Sequence, residues 1–177
     1  VILSQYRRKL AEAHGLHIKP VILMKSKTIA ESKANEEAFH EYIAGLKAGD
    51  LESLCQKSNK DETIHRACEY FFQKKDISFA DFIRELHQDF SPEKTINVNS
   101  PDDLEKQQIL LNSLEDYSNE IRVVFAVDKL NEGWDVLNLF DIVRLYDTRD
   151  SKGNKLGKTT IQEAQLIGRG ARYCPFV

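Results

Sequence analysis

Apolar and polar positions alternate along the chain in two periods, one suited to helices and one to strands. Residues 1–16 read as a helix that stops at Gly15. "KPVILMKS" (Lys19 to Ser26) is a short apolar run opened by a proline, which predicts a buried strand. A helix is expected over residues 32–47, because Phe39, Tyr42, Ile43 and Leu46 share one face. Residues 48–60 are polar and read as a loop or a weak helix. Two compact helices follow. Ile64, Ala67, Cys68, Phe71 and Phe72 recur at helical spacing, and so do Phe79, Phe82, Ile83, Leu86 and Phe90. Aromatics in that pattern predict a core. Residues 48–92 are therefore expected to be a small helical insert packed on itself or on a sheet.

"TINVNS" (Thr95 to Ser100) is a weak strand signal. The next segment has a marked helix start: Ser100 as N-cap, Pro101 at the first helical position, then Asp102 and Asp103 in the first turn. That start also disposes of a nuclease reading of Pro101, Asp102, Glu105 and Lys106, since Glu105 and Lys106 are adjacent and precede no strand. "IRVVFAVD" (Ile121 to Asp128) is the strongest strand signal, and "DIVRLYD" (Asp141 to Asp147) is another. A helix is expected over residues 159–172. Strands alternating with helices predict an α/β fold with a wound, mainly parallel sheet. In such sheets ligands sit at the carboxyl ends of the strands, here Asp128 to Asp135 and the loop after Asp147.

Composition narrows this picture. A chain of 177 residues, 41% hydrophobic and 30% charged, can bury one core but not two full α/β domains. The net charge of −3 provides no global basic field, so any nucleic-acid contact must come from a local patch. No apolar run reaches the roughly 18 residues a membrane helix needs. The start lacks the features of a signal peptide, and both ends read as cut points in a longer protein. Cys55, Cys68 and Cys174 form no C-x-x-C pair and read as reduced thiols in a cytoplasmic protein. His65 and Cys68 lie one helical turn apart, but no second pair completes a zinc site, so no metal ligands are assigned.

"SKGNKLGKTT" (Ser151 to Thr160) suggests a phosphate-binding loop. A P-loop needs four residues between its glycines so that backbone N–H groups wrap the phosphates. Only Asn154, Lys155 and Leu156 separate Gly153 from Gly157, and Thr148 to Lys152 part the loop from its strand. It reads as a solvated turn. "QLIGRGAR" offers a different phosphate chemistry. Arg169 and Arg172 are three apart on one helical face, and guanidinium groups grip phosphate with two parallel bonds.

These segments together resemble superfamily 2 helicases and translocases. "QLIGRGAR" is similar to motif VI (Q-x-x-G-R-x-x-R), "FAVDKLNEGWDV" to motif V, and "KPVILMKS" to the motif IV strand. The wording "LNEGWDV" followed by "QLIGRGARYCPF" is most similar to the Res subunits of type III restriction enzymes. The resemblance is strong from Pro101 to Phe176, weaker from His17 to Tyr42 and absent over the insert. It implies that residues 1–177 are one RecA-like domain, the second of a two-domain motor. ATP and Mg would be held mainly by an upstream RecA-like domain of the same chain. Arg169 and Arg172 would serve as arginine fingers, with Gln165 orienting them. Gly133 and Asp135 would lie at the nucleotide ribose. Ser26, Lys27, Asp128 and Lys129 would touch the backbone of double-stranded DNA, and a DNA-modification (methyltransferase) subunit would be the partner. One departure bears on this: Val127 stands where the family often has a threonine that contacts nucleic acid. The competing readings are a non-enzymatic interaction domain, a small NTPase using Gly153 to Thr159, and a superfamily 2 helicase without a restriction role.

Overall fold

The computed structural model describes residues 1–58, 61–99, 104–116, 118–127, 136 and 138–146. Among the described residues four strands form one sheet: β1 (Val21–Lys25), β2 (Thr95–Asn97), β3 (Val123–Ala126) and β4 (Leu139–Arg144). Their order in space is β2-β3-β1-β4, and every pairing is parallel. Ile22 lies opposite Val123 and Met24 opposite Phe125. Central strands of a parallel sheet are covered on both faces, so they must be apolar throughout. That is why "VIL" of β1 and all four residues of β3 are buried. The expected wound, parallel α/β architecture of RecA-like type is the one observed.

Helices lie on both faces. On one side are α1 (Ile2–Ala13), α2 (Ile29–Gly45), α3 (Ala48–Lys57), α4 (Glu62–Cys68) and α5 (Phe79–Asp89), with a π-helical turn (Glu69–Lys74) extending α4. They close a core in which Ile22, Val123 and Phe125 of the sheet meet Phe71, Phe82, Leu86 and Phe90. α6 (Leu104–Asn112) covers the other face, where Val21, Leu23, Val124 and Ala126 meet Leu114. The alternation of Ile22 against Val21 and Leu23 is the period-two geometry of a strand.

Local chemistry sets several boundaries. α1 ends in a Schellman arrangement: the Leu16 N–H donates to Ala11 O at 2.9 Å and the Gly15 N–H to Glu12 O at 3.1 Å. Gly15 has φ +74°, which glycine adopts without a Cβ penalty. α2 starts three residues earlier than expected. Thr28 and Glu31 form a capping box there, each side chain accepting the other's backbone N–H at 3.2 Å. Residues 48–57 are helical, with the Lys47 N–H donating to the Asp50 carboxylate at 2.9 Å and Leu51 buried in the first core.

The aromatic segment packs against the sheet. The Phe71 and Phe82 rings are 4.3 Å apart, the Phe72 and Phe79 rings 4.2 Å, and Tyr6 of α1 meets Phe71 edge-on at 6.2 Å. One expectation is corrected here. Cys55 and Cys68 are joined in a disulfide, with 5.7 Å between their Cα atoms, rather than standing as separate thiols. Packing α3 against α4 brings the two side chains together, a proximity that their 13-residue separation does not reveal. Cys174, the Ser100 cap and the helix expected over residues 159–172 lie outside the described residues. Glu105 and Lys106 fall within α6, as the helix-start reading requires.

Candidate functional site at the carboxyl edge of the sheet

β1 delivers Ser26 and Lys27 to the carboxyl edge, and β3 delivers Val127. The two strand ends are tied together, the Ser26 N–H donating to Ala126 O at 3.0 Å. Ser26 is only 1% exposed, and its hydroxyl accepts from Asn35 Nδ2 of α2 at 2.9 Å. Its oxygen is thus committed to holding the loop. Lys27 is exposed, while its backbone N–H donates to Glu31 Oε2 at 3.1 Å. The Glu31 carboxylate therefore serves two amides at the start of α2 and leaves the Lys27 ammonium in solvent.

A second set of residues, not anticipated from sequence, organises this edge. Asn99 is 4% exposed and follows β2. Its Oδ1 accepts the Val127 N–H at 3.0 Å, and its Nδ2 donates to Ser32 Oγ at 2.9 Å and Asn97 Oδ1 at 3.0 Å. Asn97 Nδ2 in turn donates to Glu36 at 2.9 Å. Asn99 therefore joins the loop after β3 to α2, which also anchors the loop after β1. A buried amide with both ends satisfied is rigid, and the first residue of the "VDKLNEGWDV" loop inherits that rigidity. The only hint in the sequence was an asparagine pair closing a strand. Lys25 is a further polar residue that the sequence pattern does not single out. It ends β1 and is 4% exposed, on the same sheet face as Val21 and Leu23. At the end of β4 the Arg144 guanidinium lies 5.6 Å from the centre of the Tyr146 ring.

Of the residues expected in the site, Ser26 and Lys27 are brought to one edge beside Val127. Asp128, Lys129, Gly133, Asp135, Gln165, Arg169 and Arg172 lie outside the described residues, as does the Gly153 to Thr159 turn. Among the described residues no group of His, Cys, Asp and Glu is arranged to hold a metal ion. No described helix is long and apolar enough to cross a membrane.

Comparison with known proteins bears on the wording of the motifs. A probable type III restriction-modification enzyme HindVIP Res subunit from Haemophilus influenzae (strain ATCC 51907 / DSM 11121 / KW20 / Rd) is 36% identical over 179 residues. The match takes in 90% of this chain and 35% of that protein. The chain resembles a type III Res subunit. It spans about a third of the length of that curated relative. The match covers nine-tenths of the chain, so it extends well beyond the segments that first suggested the resemblance. The family model HI_1054_N, described as an N-terminal region, matches residues 159–177. No solved structure matches the chain.

Proposed function

We propose that this chain is the second motor domain of an ATP-dependent DNA translocase or helicase, the restriction (Res) subunit of a type III restriction-modification endonuclease. The observation that carries the reading is the 36% identity to a Res subunit across nine-tenths of the chain. The parallel sheet supports it, since its carboxyl edge gathers the loops on which the motifs would sit. Lys27 would contact the DNA backbone as an exposed cation. Ser26 would hold the loop that presents it, and Asn99 would fix the start of the loop carrying Asp128, Lys129, Gly133 and Asp135. Arg169 and Arg172, with Gln165, would stabilise charge on a transferring phosphoryl group at the interface with an upstream domain. ATP with Mg would supply the driving force there. The partners would be double-stranded DNA and a methyltransferase subunit, in the cytoplasm.

The test is DNA-stimulated ATP hydrolysis by the intact protein carrying this chain and an upstream P-loop domain. Changing Arg172→Ala should lower turnover by a factor on the order of 10³ while ATP binding is kept. Unchanged turnover would move the interaction-domain reading to the front.

A further inference from the structure

The amino edge of the sheet, opposite the candidate motor site, holds a cavity of about 300 Å³. It is built from α1, the segment before β1, the end of α5 and the segments before β2 and β3. The basic side chains of Arg8, Lys19, Lys94 and Arg122 line it, with His17 beside them. Three acidic ones do too, but they are not equally placed. Glu12 and Glu120 keep 40% and 73% of their side chains exposed, whereas Asp89 keeps 13%. One interior carboxylate therefore answers three cations, with Arg8 at 2.6 Å, Arg122 at 3.3 Å and Lys94 at 3.6 Å.

Arg122 is saturated. It is 1% exposed and donates to Pro20 O, Gln5, Ser4 and Asp89, with its guanidinium 4.8 Å from the centre of the Phe90 ring. The others keep donors to spare. Arg8 spends Nε on Glu12 and Nη1 on Asp89, which leaves Nη2 without a hydrogen bond among the described residues. Among the described residues, Lys19 hydrogen-bonds to the uncharged oxygens of Asn119. Burial and the nearby Arg122 push the Lys19 ammonium down to about 8, with Arg8 adding to the effect and Asp116 and Glu120 opposing it. Burial is the larger cause of this lowering, and the two guanidinium groups add to it.

We propose that this cavity is an oxyanion site that takes a phosphate or carboxylate group between Lys19, Arg8 and Lys94. Their remaining N–H donors come from three separate chain segments, so one anion would meet charge-assisted bonds from several directions. The site is independent of the motor reading, because it lies at the other end of the strands.

The experiment is a titration of the chain with inorganic phosphate, following the Lys19 ammonium by NMR and by reaction with an amine reagent near neutral pH. Phosphate should raise the Lys19 pKa from about 8 in a saturable way. A rise of about one unit means roughly a tenfold fall in labelling. Lys19→Gln should abolish the saturable response at Lys94. Lys94→Gln should weaken phosphate binding, and that variant keeps the test intact if the first does not fold. Acetate saturating where phosphate does not would assign a carboxylate occupant. Equal responses to phosphate and to chloride at matched ionic strength, or no saturation with either oxyanion, would overturn the proposal.

Discussion

Arg122 shows how one residue can set the cost of a whole region. Its guanidinium is buried, and its pKa is lowered to about 10 by burial, with Asp89 pulling the other way. It stays charged at neutral pH and must be compensated. Burial works against the Asp89 carboxylate, but its hydrogen bond from Gln5 and the nearby Arg8, Arg122 and Lys94 hold its pKa below the usual range. Removing one partner of a buried pair strands the other. Asp89→Ala should therefore cost about 3–5 kcal/mol, read as a fall in the urea midpoint. Lys19 should leave a pH signature. Its folded pKa of about 8 lies below the unfolded value near 10.5, so the unfolded chain binds more protons between these limits. Its contribution to stability should rise with pH across that window and be flat below it. Urea midpoints compared with Lys19→Met should show the rise only in the unchanged chain. At the other edge, Asn99→Leu removes the acceptor of the Val127 N–H. Amide hydrogen exchange at Val127 should quicken by about tenfold, the equivalent of roughly 1.4 kcal/mol, a typical net worth for a buried bond.

Among the elements, the helices report how local signals and packing divide the work. The Thr28–Glu31 box fixes the start of α2 from sequence-local chemistry alone. Thr28→Ala should cost about 1 kcal/mol, checked by thermal or urea unfolding. The polar stretch at residues 48–57 had no clear periodicity, yet it is helical because Leu51 enters the core and Asp50 caps the turn. The Cys55–Cys68 link belongs to this scale too. It closes a short loop, for which the chain-entropy account gives about 3 kcal/mol. Unfolding with and without reductant should differ by roughly that amount. A reducing cytoplasm would open the link and leave two thiols packed side by side.

At the scale of the whole molecule, the two proposed sites lie at opposite edges of the sheet. The carboxyl edge carries Ser26, Lys27 and Val127, and the amino edge carries the basic cavity. With a net charge of −3, the proposed DNA binding through the carboxyl edge should be weak and strongly salt-sensitive. Lys27→Ala should reduce the slope of log affinity against log salt by about one. A slope unaffected by Lys27 would remove it from the proposed DNA contact.

Outside residues 48–57, periodicity was enough for the types of the main described elements, because burying Val21 to Leu23 or Phe71 to Phe90 demands a fixed spacing whatever the partner. The alternation of strands and helices also predicted a mainly parallel sheet, because parallel strands need long crossover connections. Motif wording carried the resemblance to Res subunits, which the comparison bears out across most of the chain. Tertiary packing supplied the rest. The Asn99–Val127 bond, the Cys55–Cys68 link and the Arg122–Asp89 cluster join residues 28, 13 and 33 positions apart. No local pattern encodes such pairs. Each exists because packing elements on the sheet brings distant side chains together, the two cysteines between α3 and α4 and the polar groups at the sheet edges, where burial requires them to find partners.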